Sequence, residues 1–93
     1  MEKFKLDKKD FKTINNTKLF RIIALKDFGN VKKGDKGGYI EKVENLSLEG
    51  NCWVSGDARV SGTARISGDA QVSGTAGVYG DVYYIIEKIK LQK

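Results

Sequence analysis

The sequence contains no histidine, one cysteine, one tryptophan and no apolar stretch that approaches the roughly 20 residues of a membrane span. Without histidine there is no imidazole to serve as a general base near neutral pH, and none to ligate zinc. Cys52 permits no internal disulfide and has no base partner, so nucleophilic catalysis is unsupported. The first twenty residues are rich in lysine and lack an uninterrupted apolar h-region, which argues against a signal peptide. Gly34-Asp-Lys-Gly-Gly38 is glycine-rich but lacks the Walker spacing and its Gly-Lys-Ser/Thr ending. The expectation is a chain with no metal, no cofactor and no enzymatic activity.

What the chain does have is repetition. From Gly50 to Ile85 it reads as six hexapeptides, beginning Gly50-Asn-Cys-Trp-Val-Ser and Gly56-Asp-Ala-Arg-Val-Ser. An aliphatic residue recurs every six positions at Leu48, Val54, Val60, Ile66, Val72 and Val78. Two residues earlier runs a column of smaller residues, Leu46, Cys52, Ala58, Ala64, Ala70, Ala76 and Val82. Positions i−2 and i share one face of a strand, so both columns point inward. A period of six excludes an amphipathic helix, and repetition of this kind outranks local propensity. The expected fold is all-β: a short left-handed parallel β-helix of 18 residues per coil, with an N-terminal β-hairpin cap and a C-terminal strand. Stacking at i+18 then sets Trp53 beside Gln71, Arg59 beside Gly77, Arg65 beside Tyr83, and Leu48 under Ile66. Gly and Asp, Asn or Thr fall at the corners, where the backbone bends. Asp57, Asp69 and Asp81 recur every twelve residues, so they occupy different corners and do not converge.

Around the array lie two segments that do not repeat. Phe4 and Leu6 alternate with Lys3, Lys5 and Asp7, which suggests a short strand; Asn15-Asn16 then suits a two-residue hairpin turn, with Phe11 to Ile14 before it and Thr17 to Leu25 after it. In the second arm Leu19, Arg21, Ile23 and Leu25 alternate with Lys18, Phe20, Ile22 and Ala24. Phe28 is placed to pack back. The tail after Val82 is β-rich and glycine-free, and it reads either as a strand that closes the open end or joins another subunit, or as a short helix. The expected division is a basic cap over residues 1–37, repeats over 38–85 and a tail over 86–93. At 93 residues the chain buries only about 60–65% of its unfolded surface. Its stability is therefore modest unless it forms a dimer or trimer.

The charge is uneven. Residues 1–36 hold eleven Lys and Arg against five Asp and Glu, whereas residues 37–81 hold three against six. A basic cap attracts acidic protein surfaces or nucleic acid, and Lys5, Lys8, Lys9, Lys12, Lys18, Arg21, Lys32 and Lys33 are its candidate contacts. Along the array the outward candidates are Trp53, Arg59, Arg65, Tyr79 and Tyr83, residue types that dominate binding hot spots. An outward Trp53 must be covered, by the cap or by a partner.

The period resembles that of hexapeptide-repeat acyltransferases and of carbonic anhydrases of the same architecture. Those enzymes rely on the histidines that this chain lacks. The run Ile23-Ala-Leu-Lys-Asp-Phe-Gly-Asn-Val-Lys-Lys-Gly-Asp-Lys-Gly-Gly-Tyr-Ile-Glu-Lys-Val-Glu-Asn-Leu-Ser, followed by Gly-Asn-Cys-Trp-Val and Gly-Asp-Ala-Arg-Val, resembles a family of phage and prophage hexapeptide-repeat, polymer-forming-like proteins of unassigned activity. The likeness covers residues 20–80. It implies a cytoplasmic binding protein acting in a bacterial host. The leading expectation is an inhibitor of a defence system such as CRISPR–Cas that occludes an acidic protein or ribonucleoprotein surface, with no role at a membrane. The alternatives are a structural or oligomerisation module of a phage assembly and a nucleic-acid-binding accessory protein.

Overall fold

Asn15 and Asn16 adopt φ of 51° and 66°, left-handed values that asparagine tolerates and a two-residue hairpin turn requires. They fold β1 (Phe4–Ile14) back onto β2 (Thr17–Ala24) as an antiparallel pair, from Phe4 opposite Ala24 to Ile14 opposite Thr17. The computed structural model describes residues 2–75, 77–79, 83–84 and 90–92. Among these the protein is all-β, apart from a single 3-10 turn at Val43–Asn45.

After the hairpin come β3 (Lys36–Ile40), β4 (Trp53–Val54), β5 (Arg59–Val60), β6 (Arg65–Ile66), β7 (Gln71–Ser73), β8 (Gly77–Val78), β9 (Tyr83–Tyr84) and β10 (Lys90–Gln92). They form three ladders. β1, β2, β3, β5 and β8 make a five-stranded mixed sheet, β4, β7 and β10 a second, and β6 with β9 a third. Trp53 pairs Gln71, Arg59 pairs Gly77 and Arg65 pairs Tyr83, all in parallel. These are the i+18 partners that the hexapeptide period predicts. The repeat glycines at 50, 56, 62, 68 and 74 turn the chain between ladders with φ from 63° to 73°, a region that favours glycine.

Between the ladders lies the core. Val54, Val60, Ile66, Val72 and Val78 fill it from one column, and Cys52, Ala58, Ala64 and Ala70 from the other; all are buried. Ala76 and Val82 lie outside the described residues. Phe4, Ile22 and Ala24 extend the same cluster into the hairpin and Ile40 joins it from β3, so cap and array share one core.

Leu48 departs from the expected column. Leu46, not Leu48, bridges Ile66, and Leu48 is 45% exposed. The first coil is two residues longer than the second: Tyr39 pairs Arg59 and Leu46 pairs Ile66, a spacing of 20. The buried Asn45 anchors this longer coil. Its Oδ1 accepts from the N–H groups of Glu41 (3.1 Å) and Lys42 (2.9 Å), and its Nδ2 donates to the carbonyls of Gly62 (3.2 Å) and Ala64 (2.8 Å). Asn45→Ala strips partners from several buried groups and is expected to cost about 2 kcal/mol, read as a lower denaturant midpoint at unchanged slope.

In β2 the alternation also breaks. Leu19 is buried, and so are Ile22 and Ala24, because the register slips between Arg21 and Ile23 against β3. A bulge exchanges the faces of the strand, which a strict period of two cannot anticipate. The backbone of β10 pairs in parallel with β7, Lys90 opposite Gln71. Lys90–Gln92 thus form a strand that extends the β7 ladder. The other residues of the tail lie outside the described residues.

Candidate functional site

β1 is the outer edge of the five-stranded sheet, and Lys5, Lys8, Lys9 and Lys12 stand exposed along it. Edge strands carry lysine because a solvated ammonium discourages another strand from pairing there. Their two acidic neighbours are otherwise engaged. Asp7 accepts the N–H of Lys9 at 3.0 Å, and Asp10 accepts Arg21 Nε at 2.8 Å. Lys12 lies 3.7 Å from Asp57 at an exposed pair, whereas no carboxylate among the described residues pairs with Lys5, Lys8, Lys9 or Lys18.

Successive residues of a strand face opposite ways, so the hairpin has two decorated faces. On one, Arg21 donates to Asp10, to the Gly37 carbonyl (2.8 Å) and to the Tyr39 hydroxyl (2.5 Å), with its guanidinium 4.5 Å from the Tyr39 ring centre. Burial opposes the charged form. The hydrogen bond to Asp10 and the interaction with Tyr39 outweigh it, so Arg21 sits above the ordinary arginine pKa. Arg21 is thus a fastener between hairpin and array and not a free cation for a partner. Lys12 rests over the same Tyr39 ring at 4.7 Å. Arg59 pairs with Tyr39 in the ladder; its Nε is buried with no hydrogen-bond partner among the described residues.

On the other face the rings of Phe11 and Phe20 lie 6.3 Å apart. Lys8 Nζ sits 4.3 Å from the centre of Phe20, and Lys18 Nζ 4.8 Å from that of Phe11. Phe11 is 45% exposed. The charge count found these lysines. It did not find the phenylalanines, because Phe11 and Phe20 read as ordinary strand residues until the register sets them opposite each other.

The remaining candidates scatter. Trp53 is 4% exposed, with Phe28 packed edge-on at 5.2 Å; the cap covers it, which removes it from any partner surface. Lys32 and Lys33 are exposed on the turn that carries Phe28, where Asp35 and Asp27 hold their N–H groups. That turn lies over the β4 ladder, whereas Lys12 lies over the β3 ladder, so the two basic groups do not converge. Arg65 is exposed beside a groove lined by Val43, Leu46, Leu48 and Ile66. Tyr79 is 52% exposed near Leu19 and Ser61. Tyr83 pairs Arg65 through its backbone, and its side chain lies outside what is described.

Lys3 is the residue that sequence reasoning missed. The alternation of the first strand sets it outward, yet it is fully buried. Its Nζ donates to the Ser47 carbonyl (3.1 Å) and to Cys52 Sγ (3.3 Å) and lies 4.7 Å from the Phe28 ring centre. Burial pulls its pKa below the ordinary 10.5, against the partial opposition of Cys52. An amine with a lowered folded pKa binds its proton less well folded than unfolded, so stability rises with pH between the two values. Urea unfolding of the wild type and of Lys3→Met is expected to show the wild type gaining on the variant as pH rises from neutrality towards 10.5. A pH-independent difference contradicts this.

Among the described residues no group of three or more His, Cys, Asp or Glu side chains could hold a metal. No described helix is long and apolar enough to cross a membrane. No family model matches the chain. A segment of 42 residues is 45% identical to part of an uncharacterized acetyltransferase, YdcK, of Escherichia coli (strain K12). The match covers 45% of this chain and 13% of that protein. The likeness is confined to that segment and supports kinship among hexapeptide-repeat chains and nothing further.

Proposed function

We propose that the chain is a non-enzymatic binding protein, in which a short left-handed β-helix acts as a rigid spacer for a basic hairpin that covers an acidic surface of a partner complex. The observation that supports this is the edge strand and its neighbour, which hold Lys5, Lys8, Lys9 and Lys18 free of carboxylates among the described residues. Unpaired ammonium groups on a rigid arm attract an acidic partner from a distance. The resemblance of residues 20–80 to phage and prophage proteins directs the search to bacterial defence complexes, CRISPR nucleases among them, and to the bacterial cytoplasm.

Affinity purification from a bacterial host, with mass spectrometry and nucleic-acid analysis, tests this reading. A single stoichiometric host complex supports it. Self-association alone supports the second reading, a dimer- or trimer-forming module of a phage assembly, for which the exposed apolar residues Val43, Leu48 and Tyr79 speak. The partial likeness to an acetyltransferase raises a third. Against it stands the absence of histidine from the whole sequence, which removes the usual general base of that chemistry. Acyl transfer by the purified chain would overturn the non-enzymatic reading.

A further inference from the structure

We infer that the Phe11–Phe20 face of the hairpin is a stacking platform for a single strand of nucleic acid. This rests on the hairpin being the working surface and names the chemistry that it meets there.

The argument begins with which cations are free. Arginine grips a carboxylate or a phosphate alike, because its planar fork makes two parallel hydrogen bonds to either. The hairpin has one arginine, and Arg21 is committed to Asp10, Gly37 and Tyr39. The free cations, Lys5, Lys8, Lys9 and Lys18, are all ammonium groups, which act as point charges and suit phosphate. The second element is aromatic. Phe11 and Phe20 form one tilted pair at 6.3 Å, and Phe11 is 45% exposed. An exposed ring flanked by ammonium groups is a surface on which an unpaired base stacks.

The lysines and rings are also coupled. Lys8 sits over Phe20 and Lys18 over Phe11 at 4.3 and 4.8 Å, contacts that are weak where exposed. A base arriving on the ring displaces an ammonium that is weakly held. The ammonium is then free to reach a phosphate of that nucleotide's backbone. Duplex DNA cannot use the rings, since its bases are already stacked and paired. The platform therefore prefers single strands and has little sequence preference.

The test is fluorescence anisotropy of the full chain with three labelled probes of matched charge: an oligothymidylate, a duplex and a polyglutamate. The oligothymidylate is expected to bind at least about tenfold more tightly than either other probe, since stacking of even one base has that scale. Its affinity is expected to fall with salt at a slope of about −0.7 for each lysine–phosphate contact. Phe11→Ala is expected to weaken the oligothymidylate about tenfold and to leave polyglutamate binding unchanged. The thermal midpoint of each variant shows that it is folded, and Lys8→Gln with Lys18→Gln provides a second pair that leaves both rings in place and reduces the salt slope.

Equal binding of polyglutamate and oligothymidylate, or no effect of Phe11→Ala, overturns the platform and leaves an acidic protein as the partner. A preference for the duplex overturns it as well. Failure of all three probes to bind overturns the platform together with the reading of the hairpin as a polyanion-facing surface.

Discussion

Gly37→Ala is expected to cost about 4 kcal/mol. A Cβ at residue 37 would lie 2.5 Å from Ile22 Cγ1 and 2.8 Å from Ile22 Cδ1, and would press closer still on the Val54 carbonyl oxygen. The Ile22 side chain cannot retreat, because it is fully buried between hairpin and array in the shared core. The carbonyl cannot retreat either, because β4 is fixed to β7 by its ladder. The strain falls on the seam that Arg21 fastens through the Gly37 carbonyl. For a domain of this size, whose total stability is on the order of 5–14 kcal/mol, that loss takes between about a third and most of it. Denaturant unfolding measures the cost. Cooperative unfolding close to the wild-type midpoint would show that cap and array are not packed as one body.

Reversal of the hairpin charge has the second large effect, on binding. Lys5→Glu, Lys8→Glu, Lys9→Glu and Lys18→Glu together remove two charges each and take the net charge from +5 to −3. All four side chains are exposed, so the fold loses no more than the two ring contacts of Lys8 and Lys18. Affinity for an acidic partner is expected to fall about 100-fold or more, mainly through a slower association rate. The wild-type affinity is expected to decline with salt, and that of the variant to change little. Surface plasmon resonance at two ionic strengths, with the captured partner immobilised, separates the two rates. The control is Lys32→Glu with Lys33→Glu, which carries the same kind of change on the turn over the β4 ladder. It is expected to have a much smaller effect, because that turn lies away from the hairpin faces.

The regular parts of the fold were legible because they follow from periodicity. A period of six fixes which residues face inward, and 18 residues per coil fixes which residues pair, so Arg59 with Gly77 and Arg65 with Tyr83 follow from counting. Asn15-Asn16 was legible because its chemistry is local. The misplacement of Leu48 arose because the first coil carries two extra residues, and its anchor is the side chain of Asn45, whose partners lie 17 and 19 residues away. A repeat count does not register an insertion held by a distant hydrogen bond.

The candidate site was harder for a related reason. Charge is legible in a sequence, but the pairing of charges is not. Arg21 counted as a basic contact until its partners Asp10, Gly37 and Tyr39 showed it to be internal. Trp53 counted as outward and in need of cover from the cap or a partner, a choice that periodicity leaves open and that Phe28 of the cap decides. Lys3 shows the opposite failure. An ammonium buried against Ser47 and Cys52 has no signature in a strand that otherwise alternates.

The central claim is that the hairpin, carried on a rigid array, is the surface through which this chain meets its partner. Parallel affinity purification from the same bacterial cells tests it most directly, with the wild type, the fourfold hairpin reversal and the Lys32→Glu, Lys33→Glu control as baits. The account predicts one stoichiometric complex with the wild type and the control, and its loss with the hairpin reversal while the variant stays folded. Recovery of the same complex at undiminished yield with the reversed hairpin would contradict it.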